Sequence, residues 1–467
     1  MPHPIIQAQP PLEFLPSAFN PWLLRFFHLV LPMWMRSQTP IADVRATNVE
    51  VLAELYQQFA AGKIRFLIAF RHPSAYDGLS LVYLLSQLVP QAAKKQGISL
   101  SQPPHAHFIY DRGIPIWAGA YANWLFPRLG GTPIQRGKLD LIGLRSIRHL
   151  FANGSLPMAA APEGGTNAHN EIISPLEPGI AQMGFWCLED LQKAGRTEKV
   201  IILPLGIQYR YLGEPWQAIE HLLAELELDC GLPPLEADPG DFVRSSDAWK
   251  NQLYRRLYRL GDRLLSLMEN FYTRFYHQTL TPVPAETADS PNATTSARLQ
   301  ALLHAALLVA EQALGVASKG TVIDRCRRLE QAGWEFIYRE DLKKLESLSP
   351  AERGLADLMA EEASLKMWHM RLVESFVAVT GSYVLEKPTV ERFAETVLIM
   401  WDTIVRIKGD NPFQRPQLGK QQVQLTVGEP ISVSERWETY QSSRRNAKQA
   451  VADLTQDLQT SLQSMIF

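Results

Sequence analysis

Four short apolar runs, Ile64–Phe70, His107–Tyr110, Leu156–Ala161 and Val200–Ile207, alternate with stretches of helical periodicity at about 79–88, 118–126, 139–152 and 179–192. A run of this length reads as a buried strand, and strands that alternate with helices pair side by side into a mostly parallel sheet covered by those helices. The predicted class for this part of the chain is therefore α/β, a mostly parallel sheet with flanking helices. In such a sheet the loops leaving the strands share one edge, where functional side chains gather. Residues 42–60 read as a further helix leading into the first strand. Asn153 and Gly154 close the third helix, where a positive φ is expected.

From about Gly213 the pattern changes to helix and stays so to about Pro416. Trp249–Phe275 is strongly periodic, and more helices are expected at 297–314, 351–381 and 390–407. Residues 278–296, rich in Thr, Pro, Ala and Ser, read as a flexible linker. Val423, Leu425 and Val427 then alternate with polar residues, a strand pattern that points back to the first sheet. The expected organisation is an N-terminal segment 1–41, an α/β domain 42–212, a large all-helical region 213–416 read as an insertion, and a returning strand with a C-terminal helix over 417–467.

The chain carries 46 basic and 48 acidic residues, so its charge offers no footprint for nucleic acid. Cys187, Cys230 and Cys326 lie far apart and form no CxxC pair, which suits buried thiols in a reducing compartment and neither a zinc site nor a disulfide framework. The proline-rich N-terminus lacks a basic leader, so no secretory signal is expected. Pro21–Met35 is apolar and aromatic, broken by Arg25, His28 and Pro32. A bilayer takes about 20 apolar residues to span. The segment falls short of that, and it reads either as a helix lying in a membrane interface or as one packed on the protein's own core.

One loop concentrates chemistry. Arg71-His72-Pro73-Ser74-Ala75-Tyr76-Asp77-Gly78 joins the first strand to its helix, which places Asp77 in the first helical turn with His72 in the incoming loop. A carboxylate on one imidazole nitrogen fixes the tautomer and stabilises the imidazolium formed when the other nitrogen takes a proton. Such a pair suits proton removal from an alcohol. About 0.4 such spacings arise by chance in a chain with 11 histidines, so the motif decides nothing by itself. His369 and Glu374 share a similar spacing inside a helical stretch, on different faces, and read as structural.

Further candidates follow in order: Gly130-Gly131-Thr132-Pro133-Ile134-Gln135-Arg136, then Pro162-Glu163-Gly164-Gly165-Thr166, then Pro204 inside the most apolar strand, which by itself marks an edge or bulge. With His72 and Asp77 these resemble the four ordered blocks of the phospholipid and glycerol acyltransferases, the superfamily of lysophosphatidic acid and glycerol-3-phosphate acyltransferases. Gly428-Glu429-Pro430-Ile431 resembles the segment that follows the fourth block. The likeness covers about 50–212 and 420–435.

What the resemblance implies is acyl transfer from acyl-CoA or an acyl-carrier-protein thioester to a hydroxyl of a glycerolipid, with 1-acyl-glycerol-3-phosphate the leading acceptor, on the cytoplasmic side of a membrane. His72 would be the general base and Asp77 its partner. Arg136, Glu163, Gly164 and Thr166 would hold the acceptor's phosphate or other polar head, and Pro204 would shape the acyl-donor side. No metal or resident cofactor is implied. Alternatives are transfer to another lipid alcohol, such as a diacylglycerol or an amino-acid lipid, hydrolysis of the thioester, and a lipid-binding protein without catalysis. The sequence departs from the family pattern at Arg71, commonly Asn, at the extra Gly165 with Asn167 after it, and at Pro133 and Gln135. These departures place the acceptor's identity in question.

Overall fold

A computed structural model describes residues 6–114, 118–119, 121–135, 139–233, 246–280, 291–342, 348–376, 382–412 and 414–466. The chain forms two compact units, one of residues 13–212 with 420–467, the other of residues 1–12 with 213–419. The first is α/β. In chain order it contains α1 (Pro21–Gln38), β1 (Ile41–Thr47), α2 (Val49–Ala60), β2 (Ile64–Phe70), and α3 (Asp77–Tyr83), which runs through a π turn (Leu84–Leu88) into α4 (Val89–Lys95). Then come β3 (His107–Asp111), α5 (Tyr121–Arg128), β4 (Thr132–Ile134), α6 (Leu141–Asn153), β5 (Met158–Ala160), α7 (Gly179–Lys193), β6 (Lys199–Tyr211), β7 (Gln421–Val427), β8 (Ile431–Ser432), α8 (Trp437–Ser442) and α9 (Arg444–Gln463).

The eight strands form one mixed sheet in the order β1-β7-β6-β2-β5-β3-β4, with β8 also on β6. Strands β6, β2, β5, β3 and β4 run parallel, whereas β7 and β8 pair antiparallel to β6. Because β1 is parallel to β7, it begins at the edge where β2 ends, and α1 delivers the chain there. The period-two alternation of each strand sorts its side chains onto two apolar layers. Phe66, Ile68 and Phe70 of β2 and Leu203, Leu205, Ile207 and Tyr209 of β6 face α1–α4. Leu67, Ala69, Val200 and Ile202 face α6, α7 and α9. Both faces of β2 are covered, which is why it reads as an apolar run with Arg65 its one polar residue.

Three local expectations are corrected. Residues 41–47 are not the start of a helix but strand β1, because β7 supplies a ladder partner from the far end of the chain, where Gln422 Nε2 donates to Asp43 Oδ2 at 2.6 Å. Gly154 has φ −62°, not a positive value. Its lack of a side chain serves close approach instead, since a Cβ there would collide with the Leu150 carbonyl of α6 and lie 2.9 Å from His107 Nε2. The last turn of α6 is closed by Arg65 of β2, whose buried guanidinium donates to the Leu150, Phe151 and Gly154 carbonyls, the favoured place for a cation. The linker expected over 278–296 is helical from Pro291 onward, and 281–290 lie outside the described residues.

Pro204 sits inside β6, paired to Ala69 of β2. Its carbonyl accepts the Gly428 N–H at 2.9 Å, and its nitrogen therefore faces the same side, where Gly428-Glu429-Pro430 interrupts the strand between β7 and β8. A bulge on the neighbouring strand is what lets a central strand do without one N–H. The chain leaves the sheet at Leu212 and returns at Lys420, and the Leu212 N–H donates to the Lys420 carbonyl at 2.9 Å.

The other unit is helical, built on Trp216–Asp229, Asp247–Phe275, Pro291–Leu314, Val322–Ile337, Pro350–Phe376, Tyr383–Glu386 and Val390–Lys408. Arg298 joins Asp262 and Glu269, and Arg325 joins Glu311. His369 is buried between the hydroxyls of Tyr272 and Tyr276, at 2.6 and 3.1 Å, and Glu374 pairs with Arg371, so these two residues do structural work. All three cysteines are buried free thiols.

Helix α1 buries Leu24, His28, Leu31 and Met35. The opposite face leaves Trp22, Phe26, Leu29 and Met33 at 75, 64, 79 and 71 % exposure. Among the described residues no helix is long and apolar enough to cross a membrane. The His28 ring meets that of buried His105 edge-on at 5.5 Å. Burial lowers His28 from 6.5 to about 4, and burial, with His28 as neighbour, lowers His105 to about 3. Both imidazoles are thus neutral in the folded chain while the unfolded chain binds their protons first. Their stabilisation is whole above 6.5 and is lost as pH falls from there toward about 4, at about 1.4 kcal/mol per pH unit for each histidine. His28→Leu should remove one of the two contributions, read as a smaller drop in denaturant midpoint between roughly pH 7 and pH 5.

Candidate active site

The chain leaves β2 at Phe70 and restarts as α3 at Asp77, so the loop between them stands at the C-terminal edge of the parallel strands. Asp77 is buried in the first turn of α3, where the helix dipole favours a negative charge. Its Oδ2 lies 2.9 Å from His72 Nδ1 and accepts the Ser74 N–H at 2.8 Å. Its Oδ1 accepts the Tyr209 hydroxyl at 2.5 Å. Burial, with the Asp77 charge beside it, pushes the Tyr209 phenol far above its ordinary value, so it stays protonated and donates. Nδ1 of His72 carries the hydrogen toward the carboxylate, which leaves Nε2 as the basic nitrogen. The imidazole is 27 % exposed while the Asp77 side chain is fully enclosed, and Nε2 has no hydrogen-bond partner among the described residues.

Behind the pair lies a second buried layer. Glu163, three residues beyond β5, accepts the His72 backbone N–H at 2.9 Å through Oε1, and through Oε2 the Ser174 N–H at 3.0 Å and Asn167 Nδ2 at 3.1 Å. Burial raises its carboxyl above the usual range, against the pull of the Arg71 guanidinium and the two N–H donors. Arg71 is buried with its Nε 4.0 Å from Glu163. It donates to the backbone carbonyls of His169 at 3.1 Å, Ile172 at 2.8 Å and Asn170. Asn170 Oδ1 in turn accepts the Tyr209 N–H at 2.7 Å. The loop after β5 is therefore fastened to the end of β2 and to β6 by its own interior.

No family model, curated protein or solved structure matches this chain. The site is accordingly read from its own geometry. His72, Asp77 and Glu163 come together. Gly164, at φ +71°, turns the loop beside Glu163, and Thr166 is exposed on it. Glu163 itself is corrected: with its side chain enclosed and both oxygens occupied by internal donors, it holds the His72 backbone instead of an acceptor. Pro204 is buried in β6 below the loop. Arg136 lies outside the described residues; Gln135, just before it, follows β4, whose C-terminal end is on the same sheet edge three strands from β2. Among the described residues no group of three or more His, Cys, Asp and Glu is placed to hold a metal ion.

Sequence reasoning missed Tyr209 and Asn170, and it saw Arg71 and Asn167 only as departures. For Tyr209 a signal existed: it continues the alternation Leu203, Leu205, Ile207 onto the face that α3 covers. Arg71 ties three carbonyls that a shorter side chain cannot reach together. Arg71→Met should cost about 3 kcal/mol or more in denaturant unfolding, because it strands those acceptors beside the buried Glu163 charge. Amide exchange over 166–174 should quicken at the same time, and Arg71→Lys should recover only part of both.

Proposed function

We propose that this chain is an acyltransferase of the kind its motifs resemble, transferring a fatty acyl group from an acyl-CoA or acyl-carrier-protein thioester to a hydroxyl of a glycerolipid, with 1-acyl-glycerol-3-phosphate as the first acceptor to try. The observation that carries this reading is the His72–Asp77 pair at the C-terminal edge of the parallel strands, with one imidazole nitrogen fixed on a buried carboxylate and the other open. The acceptor hydroxyl loses its proton to Nε2 as its oxygen bonds to the thioester carbonyl carbon. The tetrahedral adduct then collapses, the carbon–sulfur bond breaks, and the imidazolium returns the proton to the departing thiolate. Ester and free thiol are the products, and the base is restored. A positioned base supplies about 10²- to 10⁴-fold in such a step.

Arg136 is the residue assigned to the acceptor's phosphate, since a guanidinium matches two phosphate oxygens at once. In this reading the acceptor is met at a lipid surface. Support comes from α1, whose outward face carries Trp22, Phe26, Leu29 and Met33, in a helix that also holds Arg25 and Arg36, the mix that suits a helix lying in an anionic membrane interface.

Mass spectrometry of a panel of lipid alcohols offered with acyl-CoA should show a new ester and free thiol in equal amounts. His72→Ala and Asp77→Asn should each lower the rate about 10²-fold or more without loss of fold. Free fatty acid as the sole product would move the reading to a hydrolase, and normal turnover by His72→Ala would end it.

Each large apolar side chain withdrawn from water is worth about 1.5 kcal/mol or more. Replacing Trp22, Phe26, Leu29 and Met33 together by Ser should therefore weaken sedimentation with anionic phospholipid vesicles by at least about 10-fold. Unchanged sedimentation would remove α1 from the lipid contact.

A further inference from the structure

Tyr209 reaches the site from β6, 132 residues further along the chain than Asp77. It is the last inward residue of β6 on the layer shared with α3, and it is buried. Its hydroxyl donates to Asp77 Oδ1 at 2.5 Å, with Ser80 Oγ 3.4 Å away on the next turn of α3. The Asp77 carboxylate is thus divided between its oxygens: Oδ2 serves His72 and the Ser74 N–H, and Oδ1 serves Tyr209. A buried carboxylate with one oxygen unmet is costly and free to turn about its terminal torsion. Held at both oxygens, it presents one lone pair to Nδ1 in a single orientation. The tyrosine's own backbone is pinned by Asn170 Oδ1, so the hydroxyl is presented from a fixed point.

We propose that Tyr209 is the positioning residue of the His72 base, acting through Asp77 by fixing the orientation of its carboxylate and drawing off part of its charge. This rests on His72 being the base. A phenol donating to one oxygen leaves less negative charge for the imidazolium facing the other. Tyr209 therefore lessens the carboxylate's hold on the imidazolium while keeping Nε2 aimed outward. Among the described residues the ionisable groups that meet His72 are Asp77 on α3, with Tyr209 on β6 beyond it, and, behind the His72 backbone, Glu163 with Arg71. None but Tyr209 changes in the variants below.

The test is the titration of the His72 ring protons by nuclear magnetic resonance on the full chain, with His72→Gln used to assign them. Tyr209→Phe keeps the ring and removes the donor, so the His72 midpoint should rise by roughly half a pH unit or more. Where turnover is measured, the acid limb of the kcat profile should move up with it, with kcat falling more than KM changes. Ortho-fluorotyrosine placed at position 209 preserves the hydrogen bond with a more acidic phenol, and should move the midpoint the opposite way without threatening the fold. A midpoint that stays put or falls in Tyr209→Phe, or does not fall with the fluorinated residue, overturns the proposal. The titration reads this effect whether or not an acyl group is transferred. Failure of the coupling and failure of the acyltransferase reading are therefore separate results.

Discussion

A carboxylate closed off from water is the constraint around which this sheet edge is built. Burying the Asp77 charge costs several kcal/mol unless donors replace the lost hydration. Here they come from three places: the Ser74 amide, the Tyr209 hydroxyl and the imidazole of His72, which is also the exit toward solvent. Each donor fixes a different part of the chain, so the carboxylate registers β6 against α3 and sets the loop between β2 and α3. The same demand that makes the group expensive to bury makes its geometry definite.

A second charged layer supports the first. Glu163 and Arg71 face each other behind the His72 backbone, and their hydrogen bonds run mostly to main-chain groups, those of the 163–174 loop and of His72. This accounts for two of the places where the sequence departs from the pattern it resembles. Arg71 and Asn167 look like changes in what an acceptor would meet, yet both point inward: Arg71 to the carbonyls of 169, 170 and 172, Asn167 to Glu163 and the Ile172 carbonyl. They are parts of one buried network, and their side chains leave the acceptor's identity open.

Much of this was legible in the chain. The apolar runs at 64–70 and 200–207 were strands because both their faces are covered, and a residue pattern saturated on both faces needs no partner to be noticed. The HxxxxD spacing was informative because a loop entering a helix can fold back on itself locally. Strand β1 was misread as helix since its ladder is made with β7 from the other end of the chain, and no short-range periodicity records such a partner. The φ expected at Gly154 was wrong for a related reason: besides the Leu150 carbonyl of its own helix end, the glycine lies against His107, a contact across the fold that local sequence does not record.

By itself, then, the sequence determined the alternating order of elements, the return of the chain to its first sheet near 420, and the candidate base with its nearest acid, because each depends on residues close in the chain or on patterns that repeat. Only the tertiary structure decided which face of β6 meets α3, that Glu163 turns inward, and that Tyr209 completes the carboxylate's shell. Those outcomes rest on distances between side chains separated by scores of residues, and such distances exist only once the layers have packed.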